Sequence, residues 1–146
     1  MKAIMLAAGR GSRLQGTHGD GPKCLMQFDG RSLLERHIRL LTRAGVSTLT
    51  LVVGHASEKI EQELQRVKPA IEVETIFNSD YLEGSVVSLW AARATLTAGE
   101  DVLLMDADVL YDYRMLAPLV ATRHENCFLF DGDYVPGDEP VKLCVR

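Results

Sequence analysis

The residues of this chain best equipped for chemistry come at its start. Leu6-Ala7-Ala8-Gly9-Arg10-Gly11-Ser12-Arg13-Leu14 follows a short apolar run, and Gly21-Pro22-Lys23 comes after a glycine-rich stretch. Small residues directly behind a strand let backbone N–H groups approach a phosphate closely, because any larger side chain would fill that space. Arg10, Arg13 and Lys23 then add positive charge. A second constellation, Asp106 and Asp108, follows Val102-Leu103-Leu104-Met105. At the two-residue period of an extended chain these carboxylates point the same way, so both can reach one magnesium ion. The plainer reading of such aspartates is that they cap the next turn or helix.

Two familiar phosphate-binding loops fit these residues poorly. A dinucleotide fingerprint requires a third glycine where Leu14 stands, and it should run straight into a helix, whereas a Gly/Pro-rich stretch follows here. Asp29 would pass as its ribose ligand, so an oxidoreductase reading stays open as an alternative. A P-loop is nearly met by Gly16-Thr17-His18-Gly19-Asp20-Gly21, but Pro22 separates that glycine from Lys23, and Cys24 replaces the metal-binding hydroxyl. A plain surface turn at Gly9 and Gly11 leaves the cluster of Arg10, Arg13 and Lys23 unexplained.

The elements that must position these residues follow from hydrophobic patterning. Residues 2–6, 49–53, 71–77, 102–105 and 127–130 read as buried strands, being aliphatic or β-branched on both faces. Ser32 and Glu35 form a capping box, and Leu34, Ile38 and Leu41 continue a helical stripe until Gly45 stops it. Weaker helical patterns cover residues 57–67, 85–96 and 115–124. Within the third, Val86, Trp90 and Ala94 form a stripe, which assigns Trp90 to the core in preference to a box for a quaternary ammonium group. Strands alternating with helices give an α/β fold, with a mostly parallel sheet and ligands at the carboxyl ends of its strands.

Composition narrows the class of partner. A chain of 146 residues, 47% of them hydrophobic, buries one core and is expected to form one domain. Its formal charge of −4 is mild and its basic residues are scattered, which argues against nucleic acid. No apolar stretch reaches the length of a membrane span, and Gly9-Arg10-Gly11 ends the first one too early for a signal peptide, so a cytoplasmic protein is expected. Cys24, Cys127 and Cys144 show no disulfide or zinc spacing and read as small buried hydrophobes. His37 and His124 read as helix residues, His18 and His55 as loop residues. Residues 141–146 look like a strand that the sequence enters but does not leave; either this is an edge strand or the molecule continues, and the second is expected, a domain incomplete at its C-terminal end.

Taken together, Leu6-Ala7-Ala8-Gly9, Gly11 and Arg13, with Pro22-Lys23, resemble the signature of the sugar-phosphate and phosphocholine nucleotidyltransferases. The likeness runs on through the helix after Gly30, the strand ending at Gly54, the Asn78 to Trp90 segment and Met105-Asp106-Ala107-Asp108. It implies a Rossmann-like three-layer α/β/α sandwich and a magnesium-dependent enzyme that releases pyrophosphate. Leu6, Ala7, Ala8, Gly9, Arg10 and Gly11 would line base and phosphates, with Asn78, Gly84 and Ser85 contacting base and ribose. Arg13 and Lys23 would be catalytic, neutralising charge at the α-phosphorus and the departing pyrophosphate. Asp108, with Asp106 beside it, would bind the metal. A second metal aspartate comes later in such families, and Asp131 or Asp133 could replace it only in an unusually short form.

Asn78-Ser79-Asp80-Tyr81, Ser88-Leu89-Trp90 and residues 137–142 look closer to the cytidylyltransferases of phosphocholine or 2-aminoethylphosphonate than to those of hexose 1-phosphates. CTP and a small phosphorylated or phosphonate acceptor are therefore the expected substrates. Asp131, Asp133, Asp138 and Glu139 could attract an acceptor's amine, although solvated loop charge is their ordinary reading. A sugar-1-phosphate enzyme, a nucleotide-binding module without catalysis, and a homo-oligomer all stay compatible with the sequence.

Overall fold

Strand β1 (Lys2–Ala7) runs through the middle of the sheet because every neighbour it needs is another apolar strand. On one side it pairs in parallel with β4 (Thr48–Val53), which in turn pairs with β5 (Glu72–Phe77). On the other side it pairs in parallel with β6 (Val102–Asp106), giving the order β5-β4-β1-β6. A separate antiparallel hairpin joins β2 (Gln27–Phe28) to β3 (Arg31–Ser32). Its two-residue turn is Asp29-Gly30, both at positive φ (50° and 70°), the conformation that Asp-Gly accommodates best. Asp29 thus serves a hairpin turn. The computed structural model describes residues 1–10, 21–129 and 133.

Helices cover both faces, completing the expected three layers. Ala3, Met5 and Ala7 of β1 and Leu49, Leu51 and Val53 of β4 face helix α1 (Leu33–Arg43), helix α2 (Ser57–Val67) and helix α5 (Tyr113–Ala121) through Leu34, Ile38, Leu41, Ile60 and Leu116. Ile4 and Val52 face the opposite layer, α3 (Ser85–Ala91) and α4 (Arg93–Leu96), around Ala92 and Leu89. Every residue of β4 is buried, as befits an inner parallel strand. Each fully buried leucine or isoleucine of this set contributes about 1.5–3 kcal/mol of hydrophobic stabilisation.

Helix α1 begins where its sequence says it should. The Glu35 N–H donates to Ser32 Oγ at 3.0 Å, half of the capping box. The other half is absent, because the Glu35 carboxylate turns to Arg39 Nε at 3.1 Å and to Arg66 Nη2 at 2.5 Å across the α1–α2 contact. Gly45, at φ 78°, provides the left-handed turn that ends the helix.

Elsewhere the structure departs from the patterning. Strand β5 lies at the sheet edge and is largely exposed, not buried on both faces, and Phe77 is 62% exposed. The helix expected over residues 85–96 breaks at Ala92 into α3 and α4. Val86 and Trp90 are exposed, so the stripe assigned to the core is the wrong one; Ser88, Leu89 and Ala92 pack instead. The last helix starts earlier than expected because Asp112 caps it, accepting from Arg114 N–H at 2.9 Å, and it ends at Ala121, which leaves His124 outside it. Residues 127–129 form no strand, and Phe130 lies outside the described residues. Cys24 is buried as expected, whereas Cys127 is exposed, and Cys144 lies outside the described residues. Among the described residues no helix is long and apolar enough to cross a membrane.

Candidate active site

An open cleft of about 510 Å³ lies at the carboxyl ends of β1 and β6. Leu6, Ala7, Ala8 and Gly9 form its floor, residues 106–108 one wall, Lys23 and Cys24 its end, and Tyr81, Leu82, Gly84, Ser85 and Ser88 the facing wall. Its position has a topological cause. From β1 the chain first adds strands in one direction, to β4 and then β5, and afterwards crosses back over the opposite face to place β6 on the other side of β1. Loops leaving β1 and β6 therefore diverge, and the space between them is the crevice in which open α/β sheets bind ligands.

Backbone hydrogen bonds lock the two walls in register. Ala107 N–H donates to the Leu6 carbonyl at 3.1 Å and His55 N–H to the Ala8 carbonyl at 3.2 Å, tying the loop after β1 to the ends of β6 and β4. Gly54 admits a close approach: a Cβ there would lie 2.8 Å from Tyr81 Cβ and 2.9 Å from the Ala8 carbonyl oxygen. Tyr81 is thereby seated against the loop by the absence of a side chain at Gly54. The sequence reading missed Tyr81 and Ser88 as cleft residues. The signal was Gly54 directly behind a buried strand, where a missing Cβ marks close approach of another chain segment.

The cleft is polarised along its length. Lys23 Nζ lies 2.9 Å from Asp108 Oδ2, with both side chains partly exposed. Burial first, and the neighbouring Asp108 charge second, push the Asp106 carboxyl up from its ordinary range, while Lys23 partly offsets them. Asp106 and Asp108 thus bring like charges to one turn, an arrangement that a nearby cation relieves. Among the described residues no group of three or more His, Cys, Asp or Glu could cage a metal. An open pair of hard oxygen donors instead suits magnesium, which keeps several waters and completes its shell with substrate phosphate. Cys24 also lines the cleft, but it is buried, and burial pushes its thiol up to about 12, away from the thiolate that a nucleophile needs.

Not every expected residue faces the cleft. Leu6, Ala7, Ala8, Gly9, Lys23, Gly84, Ser85, Asp106 and Asp108 line it. Asn78 is buried, and both ends of its amide are engaged: Nδ2 donates to Ser88 Oγ at 3.0 Å, and Oδ1 accepts from Asp80 N–H at 3.0 Å. It shapes the wall that carries Tyr81 and Ser88 and does not itself line the cleft. Arg10 is exposed and outside the lining. Gly11, Arg13, Asp131, Asp138 and Glu139 lie outside the described residues, and Asp133 is exposed.

Known proteins share this fold. The model of the MobA-like NTP transferase domain matches residues 3–136. A CTP:phosphoglutamine cytidylyltransferase of Campylobacter jejuni is 26% identical over 137 residues, 90% of this chain and 53% of that protein. The choline-phosphate cytidylyltransferase of Streptococcus pneumoniae is 31% identical over 109 residues, 74% of this chain and 44% of its own length. Among solved structures, the inositol-1-phosphate CTP transferase of T. maritima superposes with a TM-score of 0.65 at 28% identity, over 81% of this chain and 47% of that one. Mannose-1-phosphate guanylyltransferases also match. The chain spans about half the length of the two cytidylyltransferases, 53% and 44%, and 32% of the guanylyltransferase.

Proposed function

This chain belongs to the MobA-like NTP transferase domain family, and on that premise we propose that it carries the nucleotide site of a magnesium-dependent cytidylyltransferase for a small phosphorylated or phosphonate acceptor. The observation that carries the reading is the cleft itself, where a small-residue loop, Lys23 and the Asp106–Asp108 turn meet across the β1–β6 crevice. A phosphate or phosphonate oxygen of the acceptor attacks the α-phosphorus of CTP. A new P–O bond forms as the bond to the β-phosphate oxygen breaks, and pyrophosphate leaves with that electron pair. Nucleotidyl transfer of this kind needs positioning and charge stabilisation more than covalent chemistry from the protein.

Each described residue has a part that its place supports. Backbone from Leu6 to Gly9 would take the base and phosphates, a role supported by Ala7, Ala8 and Gly9, which leave that part of the cleft free of bulk. Lys23 supplies a mobile positive charge for the triphosphate. Asp106 and Asp108 would hold the magnesium ion, which when bound neutralises phosphate charge and orients the triphosphate. Arg13 is proposed as the second catalytic cation on the strength of the loop motif.

Choline-phosphate and phosphoglutamine as the acceptors of relatives support an acceptor other than a hexose 1-phosphate. The guanylyltransferase matches favour a sugar 1-phosphate as the second reading. A panel of CTP, UTP, dTTP and GTP against phosphocholine, 2-aminoethylphosphonate and hexose 1-phosphates, read as pyrophosphate release, decides between them. We expect the highest kcat/KM for CTP with an amino-alcohol phosphate or phosphonate. A higher value for any hexose 1-phosphate would replace the acceptor and keep the transferase, whereas nucleotide binding without pyrophosphate release from any pair would leave a binding module.

A further inference from the structure

Lys23 and Asp108 meet in the cleft from two elements, and each stands on an anchored backbone. Lys23 opens a short 3-10 helix, Lys23–Leu25, between buried Pro22 and Cys24. Leu25 N–H donates to the Pro22 carbonyl at 2.9 Å and Met26 N–H to the Lys23 carbonyl at 3.0 Å. Asp108 follows buried Ala107, whose N–H donates to the Leu6 carbonyl at 3.1 Å. Side chains alone bridge the gap: Lys23 Nζ reaches Asp108 Oδ2 at 2.9 Å, between residues 85 apart in sequence. The two side chains are 31% and 39% exposed. Lysine is a point charge on a flexible stem, so the pair can open by side-chain rotation without moving either backbone.

This contact joins two groups that the proposed reaction needs apart. On the cytidylyltransferase reading Lys23 belongs on the triphosphate and Asp108 on the magnesium ion, whereas here each holds the other. Toward magnesium alone, Asp108 is already occupied, and Lys23, once expelled, has no anion to receive it. Toward metal-free triphosphate, Lys23 is available, but Asp106 and Asp108 are left facing the phosphates without a cation. Toward the complex of the two, neither obstacle stands: Lys23 transfers to phosphate as Asp108 transfers to the metal, and every charge keeps a partner.

We propose that Lys23 is the internal counter-ion of Asp108, a latch through which the cleft admits metal and nucleotide as one unit and disfavours either alone. The latch rests on the cytidylyltransferase reading for its nucleotide; the ion pair does not. A partly exposed pair is worth little in isolation, so the complex opens it readily. Its effect falls on bare metal, which must displace one positive charge and then lie beside it.

The test uses the 146-residue chain, with bound Mn2+ counted from the electron paramagnetic resonance of the free ion. Lys23→Met should tighten Mn2+ binding without nucleotide by about 5-fold. With CTP present it should weaken Mn2+ binding by about 10-fold, as loss of a charged phosphate contact does. A lysine acting on phosphate alone gives only the second shift. Arg10→Gln controls for general charge: Arg10 is exposed and outside the cleft lining, so its loss should leave nucleotide-free affinity within about 2-fold of the parent's. Nucleotide-free binding that Lys23→Met leaves unchanged, or that Arg10→Gln tightens equally, would refute the latch. Spectra of the 15N-labelled lysine amines give a second readout. The Lys23 signal should change in Asp108→Asn, persist with Mg2+ alone and shift with Mg2+ and CTP together; a signal indifferent to Asp108→Asn would overturn the proposal as well. Failure of CTP and Mn2+ to bind the unmodified chain together would instead remove the cytidylyltransferase reading, with the Asp108→Asn spectrum still deciding whether Lys23 is the counter-ion.

Discussion

Lys23 and Asp108 neutralise each other at 2.9 Å across the cleft, which sets what each substitution should do. The pair is partly exposed, so it contributes little to the stability of the fold. Lys23→Ala should therefore leave thermal unfolding nearly unchanged and lower kcat/KM by about 100-fold or more in the active enzyme, as loss of a charge aimed at a transition state does. Near-normal turnover would remove Lys23 from the catalytic set. Asp108→Asn should abolish the dependence of turnover and of nucleotide affinity on magnesium, and a magnesium titration identical to the parent's would refute the ligand role. Both residues were legible in the sequence because local patterns mark them: Lys23 behind a glycine-rich loop, Asp108 at a two-residue spacing past a strand. Tyr81 and Ser88 were not, since Tyr81 is seated by Gly54 on another strand and Ser88 by a side-chain hydrogen bond from buried Asn78, contacts that no local pattern marks. Trp90 was misplaced because a helical stripe says which residues share a face, not which face meets the sheet.

At the scale of elements, the α1–α2 contact is held by polar groups as well as by Ile38, Leu41 and Ile60. Buried Glu35 accepts from Arg66 and Arg39, and Glu63 joins through Ser32 and Arg66. Hydrogen bonding to Arg66, with that from Arg39, holds the Glu35 carboxyl below its ordinary range against the opposing effect of burial. A carboxyl lowered on folding stabilises the native state above its unfolded pKa of about 4.3, and that stabilisation is lost as pH falls through the folded value. Glu35→Gln should thus cost on the order of 1 kcal/mol at pH 7, reduced from a fully buried pair because the arginines are half exposed. The difference from the parent in urea unfolding should close on acidification below that range; a gap that persists there would show that packing, not charge, is at work. The capping box in the sequence located the start of α1 but not this network, because Glu35 has its partner on another helix. Gly54→Ala tests a second joint: the added Cβ would force Tyr81 or the Ala8 carbonyl to shift, so nucleotide affinity should fall about 10-fold while β4 stays paired. Unaltered affinity, measured by calorimetry, would mean that Tyr81 is not braced by that contact.

For the molecule as a whole, the sequence order of strands and helices was enough to foresee a parallel sheet with two helical layers, but not the order β5-β4-β1-β6, which depends on which face each crossover takes. That order opens a crevice between β1 and β6, the place where open α/β sheets bind ligands, and it is a property the chain shares with dinucleotide-binding sheets, so topology alone does not choose between a triphosphate and NAD. The choice falls to what fills the crevice. Its far wall carries two carboxylates, which repel a second phosphate-bearing half unless a dication lies between, and its end carries Lys23. Asp29, the residue that could have held a ribose, sits in the β2–β3 hairpin turn, outside the cleft lining. The 146-residue chain should accordingly bind CTP in calorimetry, more tightly with magnesium than with EDTA, and bind NAD more weakly under either condition. Magnesium should matter because the Asp106 and Asp108 charges oppose a bare triphosphate, so metal and nucleotide should strengthen each other's binding by the same factor. Tighter binding of NAD than of every nucleoside triphosphate, or CTP affinity indifferent to EDTA, would mean that the aspartate turn does not face the phosphates.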